Sequence, residues 1–164
     1  SRASRAEPSM TLWIDADAAP RLMKDVAYKV SDRTGLKVTL VANRWQRTPT
    51  SPHIRMIVVG DGFDEADDYI AEHCEPGDVV VSADILLADR IVAKGVALIT
   101  PKGEELDADN IAERVGQRNF MEEARSAELV SGGPPPYSAR DQQNFTNALD
   151  RVLTAQRRRF PSSR

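Results

Sequence analysis

Met10-Thr11-Leu12-Trp13-Ile14-Asp15-Ala16-Asp17-Ala18-Ala19-Pro20 is the stretch from which the architecture follows. Residues 11–14 run without polar alternation, as strands do when a parallel sheet buries both their faces. Pro20 then opens a helical stretch, residues 20–33, that stops before Gly35, the usual Pro-start and Gly-stop asymmetry of a helix. Runs like the first recur at residues 37–42, 55–59, 78–82 and 96–100, with helical stretches at 64–74 and 84–94 between the later ones. Strand-helix-strand units joined by right-handed crossovers predict one sheet. The expected fold is α/β, three layers α/β/α, with a five-strand, largely parallel sheet in the order 3-2-1-4-5. Residues 110–129 and 139–158 read as two further helices, separated by Ser131-Gly132-Gly133-Pro134-Pro135-Pro136.

A chain of 164 residues is the size of one domain. Residues 10–158 are assigned to that domain, the polar and aperiodic residues 1–9 to a disordered extension or tag, and residues 159–164 to a tail. The composition, 41% hydrophobic and 29% charged, is that of a globular chain, and no apolar run approaches the ~18 residues a membrane helix needs. The single cysteine, Cys74, excludes a disulfide framework and a Cys-rich zinc site, which suits a cytoplasmic setting. The net charge of −3 is unevenly spread: the middle 140 residues hold 15 Lys and Arg against 24 Asp and Glu, and the ends are basic. Such a body is a poor duplex-binding surface, since affinity for phosphates comes from cations that replace counterions. Either the chain avoids phosphates, or many of its acids form a metal site that inverts the local sign.

Ligands of open α/β sheets bind outside the carboxyl ends of the strands, and aspartates follow the strands there. The first strand leads into Asp15-Ala16-Asp17, and in extended chain residues two apart share a side. The fourth leads through Ser82-Ala83 into Asp84, at the same edge. Asp64, Glu65, Asp67 and Asp68 begin the helix after the third strand. Acids in a first turn complement the helix dipole, and Asp64 is a candidate cap. Asp67 is different, because it precedes Ile70, Ala71 and Cys74 by three, four and seven residues and so lies on the apolar stripe. A carboxylate facing a core needs a partner, and an ion shared with Asp15 and Asp84 would supply one. Oxygen ligands suit Mg2+ or Mn2+, and such sites hydrolyse phosphodiesters. The candidate catalytic set on this reading is Asp15, Asp67 and Asp84, with Asp17 added as a metal ligand.

Asp15-Ala16-Asp17-Ala18-Ala19-Pro20, Ala66-Asp67-Asp68-Tyr69-Ile70, Val81 to Ala88, Lys94-Gly95-Val96, and Ser131-Gly132-Gly133-Pro134 before Asp141 and Phe145 together resemble the YaiI/YqxD family of uncharacterised bacterial proteins. The resemblance covers nearly the whole chain. Its fold resembles the PIN-like nucleases, which implies Asp15 and Asp84 as ligands of Mg2+ or Mn2+. Glu65-Ala66-Asp67-Asp68 resembles the helix motif of 5′ to 3′ flap nucleases, which implies Asp67 and Asp68 as the helix ligands and leaves Asp89 for an outer position. Two departures matter: Ala19 stands where the family pattern usually has Cys, which excludes thiol chemistry there, and the basic arch of the flap nucleases is missing. The implied activity is therefore a divalent-metal-dependent nuclease, with RNA, single-stranded or structured, favoured over DNA.

Residues 43–54, with Arg44, Trp45 and Arg47, read as an exposed loop, and an aromatic flanked by arginines can stack on an unpaired base or fold back on the protein. Trp13 and Cys74 read as core, and His53 and His73 receive no role. Arg157 to Arg159 suit the C-terminal end of a helix, and Asp141 the N-terminal end of the last one. Two alternatives stand beside the nuclease. One is a catalytically silent PIN-like module that binds nucleic acid or protein. The other is a phosphatase of the haloacid-dehalogenase type, with Asp15 as nucleophile and Asp17 as acid. The order of the remaining residues argues against the second, because Lys24, Lys29 and Lys37 fall in the first helix and second strand.

Overall fold

A computed structural model describes residues 10–129, 133 and 135–161. The extension assigned to residues 1–9, most of the glycine-proline segment and residues 162–164 lie outside the described residues. Six strands form one sheet: β1 (Thr11–Asp15), β2 (Lys37–Ala42), β3 (Ile54–Val58), β4 (Val79–Val81), β5 (Ala97–Ile99) and β6 (Glu105–Leu106), in the order β3-β2-β1-β4-β5-β6. The first five are parallel in the expected order, and β6 adds a sixth strand antiparallel to β5, pairing Leu98 with Leu106 and Ile99 with Glu105.

The helices are α1 (Arg21–Thr34), α2 (Glu65–His73), α3 (Ile85–Ile91), α4 (Ile111–Ser126) and α5 (Ala139–Arg159). Alternate side chains of the strands leave the sheet on opposite faces. Leu12, Ile14, Val38, Leu40, Val79 and Val81 meet Met23 and Ala27 of α1 and Phe145, Leu149 and Val152 of α5. Trp13, Val41, Val80 and Leu98 meet Ala66 and Ile70 of α2, Leu87 and Ile91 of α3, and Ile111 of α4. α1 buries Met23, Val26 and Ala27, and α5 Phe145, Ala148, Leu149 and Val152, at i, i+3, i+4 spacing on one face, while α2, α3 and α4 cover the other, which makes three layers. Burial of Phe145, which is fully enclosed, stabilises by about 2–3 kcal/mol.

Local signals end the helices where the sequence places them. Gly35, at φ 78°, closes α1 with its N–H on the Ser31 carbonyl (2.8 Å). Ser138 and Asp141 form a reciprocal capping box at the start of α5, the role expected of Asp141. The helix expected over residues 84–94 is shorter, because a 3-10 turn at Val92–Lys94 tightens its end before Gly95. At the other end of α5, Arg159 is still helical and Phe160 is half-buried, its ring lying against Gly77 and Gly95. The first residues assigned to the tail are therefore packed on the sheet's amino edge.

Candidate functional site

β1 and β4 are parallel neighbours, while β2 lies on the far side of β1. The chain therefore leaves in opposite directions from their carboxyl ends, and an open α/β sheet has its crevice at such a switch point. Asp15 is the last residue of β1, and Ser82 and Asp84 follow β4. The buried Ser82 hydroxyl donates to Asp15 Oδ2 (3.0 Å) and accepts from the Asp84 N–H (3.0 Å). One hydroxyl thus fixes both acids. Asp84 caps α3, its Oδ1 accepting from the Leu86 N–H (2.9 Å).

Asp67 enters from the first turn of α2 and meets them. Burial pushes its carboxyl up to about 8, and a hydrogen bond with Asp84 and the charges of Asp15, Asp84 and Asp64 act the same way. That shift favours the protonated form of Asp67 at neutral pH. Burial also raises Asp15; the Ser82 hydroxyl opposes that rise, and Asp17 and Asp84 add to it. Asp15, Asp67 and Asp84 form one interacting group.

Asp17 and Asp68 lie at its margin. Both Asp17 carboxylate oxygens accept the Asn43 N–H (3.0 and 2.9 Å), tying the β1 end to the segment after β2. Asp68 is exposed and receives Arg90 Nη1 at 2.9 Å, a contact that turns it toward α3. Asp89 is exposed on α3. Asp64 starts α2 in the left-handed region at φ 69° and makes no side-chain cap, unlike its expected role.

The donor set is carboxylate oxygen, which suits a hard divalent cation. Among the described residues no group of three or more Asp, Glu, His or Cys side chains is placed to hold a metal ion. Mg2+ needs none, since it keeps several waters and binds through one or two carboxylates with substrate phosphate. Of the carboxylates here, Asp15, Asp67 and Asp84 are those an open site of that kind would draw on.

Beyond β2, Arg44 and Arg47 are exposed and Trp45 is 70% exposed. Gln46 pins this segment to the site, donating to the Ala16 carbonyl (3.2 Å) and accepting from Lys24 Nζ (3.1 Å). Arg47, Arg21 and Lys24 line one hollow of about 520 Å3. Sequence reasoning missed Phe63, between β3 and α2, which is 95% exposed. Its signal was a large aromatic inside Gly60-Asp61-Gly62-Phe63-Asp64, a segment read only for its acids.

Trp13 and Cys74 are buried as expected. The His73 ring stacks on Tyr69 at 3.9 Å and its Nδ1 lies 2.8 Å from the Tyr69 carbonyl, away from the acids. Among the described residues no helix is long and apolar enough to cross a membrane.

These features define a three-layer α/β protein with a carboxylate group at the β1/β4 switch point. The profile of the family described as "Uncharacterized BCR, YaiI/YqxD family" matches residues 13–155, and the chain belongs to that family. A UPF0178 protein of Maridesulfovibrio salexigens is 51% identical over 145 residues, covering 88% of this chain and 96% of the relative. A UPF0178 protein of Photobacterium profundum is 49% identical over 144 residues, with the same coverage of 88% and 96%. Comparison with solved structures finds no match.

Proposed function

We propose that this protein is a divalent-metal-dependent hydrolase of phosphodiester bonds that acts on unpaired RNA. The observation that carries the reading is the gathering of Asp15 and Asp84 on the Ser82 hydroxyl, with Asp67 beside them, at the crevice between β1 and β4. A group of acids that keeps a proton at neutral pH is incomplete electrostatically, and a cation relieves the repulsion the proton now relieves. Asp67 would release that proton as Mg2+ or Mn2+ enters, so ion affinity rises with pH. When bound, the ion supplies Lewis acidity, lowering the pKa of the attacking water and neutralising charge on the phosphate.

The chain's own residues do the positioning. Ser82 holds Asp15 and the Asp84 backbone in one hydrogen-bond chain, and the α3 cap fixes Asp84 from its other side. Asp17 locks the segment carrying Arg44, Trp45 and Arg47 beside the acids through Asn43. Arginines contact phosphates there, and the exposed rings of Trp45 and Phe63 offer faces for unpaired bases, a mode available on single strands but not on a stacked duplex. The likeness to PIN-like nucleases and the missing basic arch favour RNA over flap DNA.

The test is Mn2+-dependent cleavage of labelled single-stranded RNA and DNA by the wild type and by an Asp15→Asn/Asp84→Asn variant purified in parallel. The expected result is RNA cleavage by the wild type alone, abolished by EDTA. Two folded but equally inert proteins would overturn the reading and leave a binding module in its place.

A further inference from the structure

On the side of the acids away from Trp45, the chain segments after β1, β4 and β5 enclose a cleft of about 430 Å3. Its walls include Pro20, Ala83, Ile85, Pro101 and Tyr137, with Lys102 at the rim. The volume lies within the range of small-molecule sites, which are mostly apolar with a few placed polar groups. Its lining neighbours the acidic group along the chain, since Ala83 and Ile85 flank Asp84, and Ala18 and Pro20 follow the end of β1.

The cleft is built rather than incidental. The Tyr137 hydroxyl donates to the Pro101 carbonyl (2.6 Å), holding the ring across from the segment after β5. Burial pushes that phenol up to about 12, so it stays neutral. The turn after β5 is closed by three bonds: Thr100 N–H to the Glu104 carbonyl (2.9 Å), Gly103 N–H to the Thr100 carbonyl (2.9 Å) and Glu104 N–H to Thr100 Oγ1 (3.0 Å). Gly103 brings this turn against the α5 backbone at Asn144, an approach a Cβ would block. Two cations reach the rim. Arg114 is occupied by Glu104, its Nε donating to Oε2 at 2.7 Å, while Lys102 is exposed and has no acidic partner among the described residues.

Apolar walls, one uncommitted cation and a place in the chain beside the acids suit a nucleotide, with its base near Pro20, Ile85 and Tyr137 and a phosphate at Lys102. We propose that the cleft is a nucleotide subsite, seating the base and sugar next to the scissile phosphate while Lys102 takes the neighbouring phosphate. The strand would then cross the acids from the Trp45 and Phe63 side into the cleft. This inference rests on the phosphodiesterase reading of the acidic group, and its test separates the two.

Adenosine and uridine 5′-monophosphates are titrated into the full chain in EDTA, with amide NMR shifts as the readout and inorganic phosphate as the control probe. Saturable shifts at Ala83, Ile85, Thr100 and Lys102, half-complete at about 1 mM or below, are expected, and Lys102→Glu should weaken them about tenfold. Arg44→Ala/Trp45→Ala should leave them unchanged. In the cleavage assay Lys102→Glu should raise KM about tenfold with kcat retained, a loss of binding rather than of chemistry. Shifts confined to residues 44–47, no shifts, or equal shifts with inorganic phosphate overturn the subsite. RNA cleavage by a protein whose cleft shows no shifts also overturns it and leaves the hydrolase standing. Nucleotide shifts in the cleft of a protein that cleaves nothing keep the subsite and remove the hydrolase.

Discussion

Two aspartates, the half-buried Asp67 and the buried Asp78, show how differently one side chain is used at the two edges of the sheet. Asp78 lies at the amino edge, buried, and accepts from the Thr11 N–H (2.9 Å), the Trp13 indole N–H (3.0 Å) and the Glu75 N–H (2.8 Å). Burial raises its pKa and those donors hold it back. Asp78→Ala would leave three donors without an acceptor and should cost about 2–4 kcal/mol, measured by urea unfolding. Asp67 has no such donors and faces other acids. Its folded pKa of about 8 lies above the ordinary aspartate value of 3.8, so the folded state binds the extra proton between those values. Stability of the metal-free protein should therefore fall as pH rises from 4 to 8. After allowance for the solvent that reaches this side chain, the fall attributable to Asp67 is about 1–2 kcal/mol. Asp67→Asn should flatten the dependence of Tm on pH in EDTA, and an unchanged slope would remove the extra proton. Asp67 was legible in the sequence because a carboxylate on an apolar helical stripe contradicts its surroundings. Asp78 was not, since an acid at the first position of a strand carries no such contradiction until the fold brings Trp13 and Thr11 to it.

At the scale of elements, the five parallel strands were legible because each is a continuous β-branched run bounded by Gly, Pro or Asp. β6 was not, because Glu105 and Leu106 are too few to show a period, and their strand exists only by pairing with β5. What makes that pairing possible is the turn at Gly103, with φ 96° and the Asn144 backbone 2.8 Å from a Cβ placed there. Gly103→Ala should destabilise by about 2–3 kcal/mol, since strain and a contact with backbone act together. Gly116 carries the opposite prediction. It lies inside α4 with nothing within 4 Å of an added Cβ, so Gly116→Ala should stabilise by about 0.5–1 kcal/mol. Thermal melts of the two variants, compared with the wild type, test both signs. Phe63 belongs to this scale too, because its exposure follows from its place between β3 and α2, which no spacing in the sequence reports.

For the molecule as a whole, an acidic protein that acts on an acidic polymer must confine its phosphate contacts to a few cations. The chain carries a net −3, with acids gathered at the switch point and Arg21, Arg44 and Arg47 beside them. Three phosphate contacts, on a single strand too short to reach Lys102, give a slope of log K against log salt of about −2, at about −0.7 per contact. Single-stranded RNA binding, measured between low and moderate salt with Ca2+ in place of Mn2+, should show that slope. Arg44→Ala/Arg47→Ala should reduce it by about 1.4, leaving close to one contact. A second basic region offers the competing geometry. Lys29, Arg33 and Arg157 line a groove of about 530 Å3 between α1 and α5, on one face of the sheet and away from the acids. If RNA lay there, the slope would survive loss of Arg44 and Arg47 and fall instead in Arg33→Ala/Arg157→Ala. That outcome would separate binding from the acidic group and favour the module without catalysis. A slope carried by Arg44 and Arg47 joins the two, because Asn43 and Asp17 fix that segment to the end of β1 where Asp15 stands.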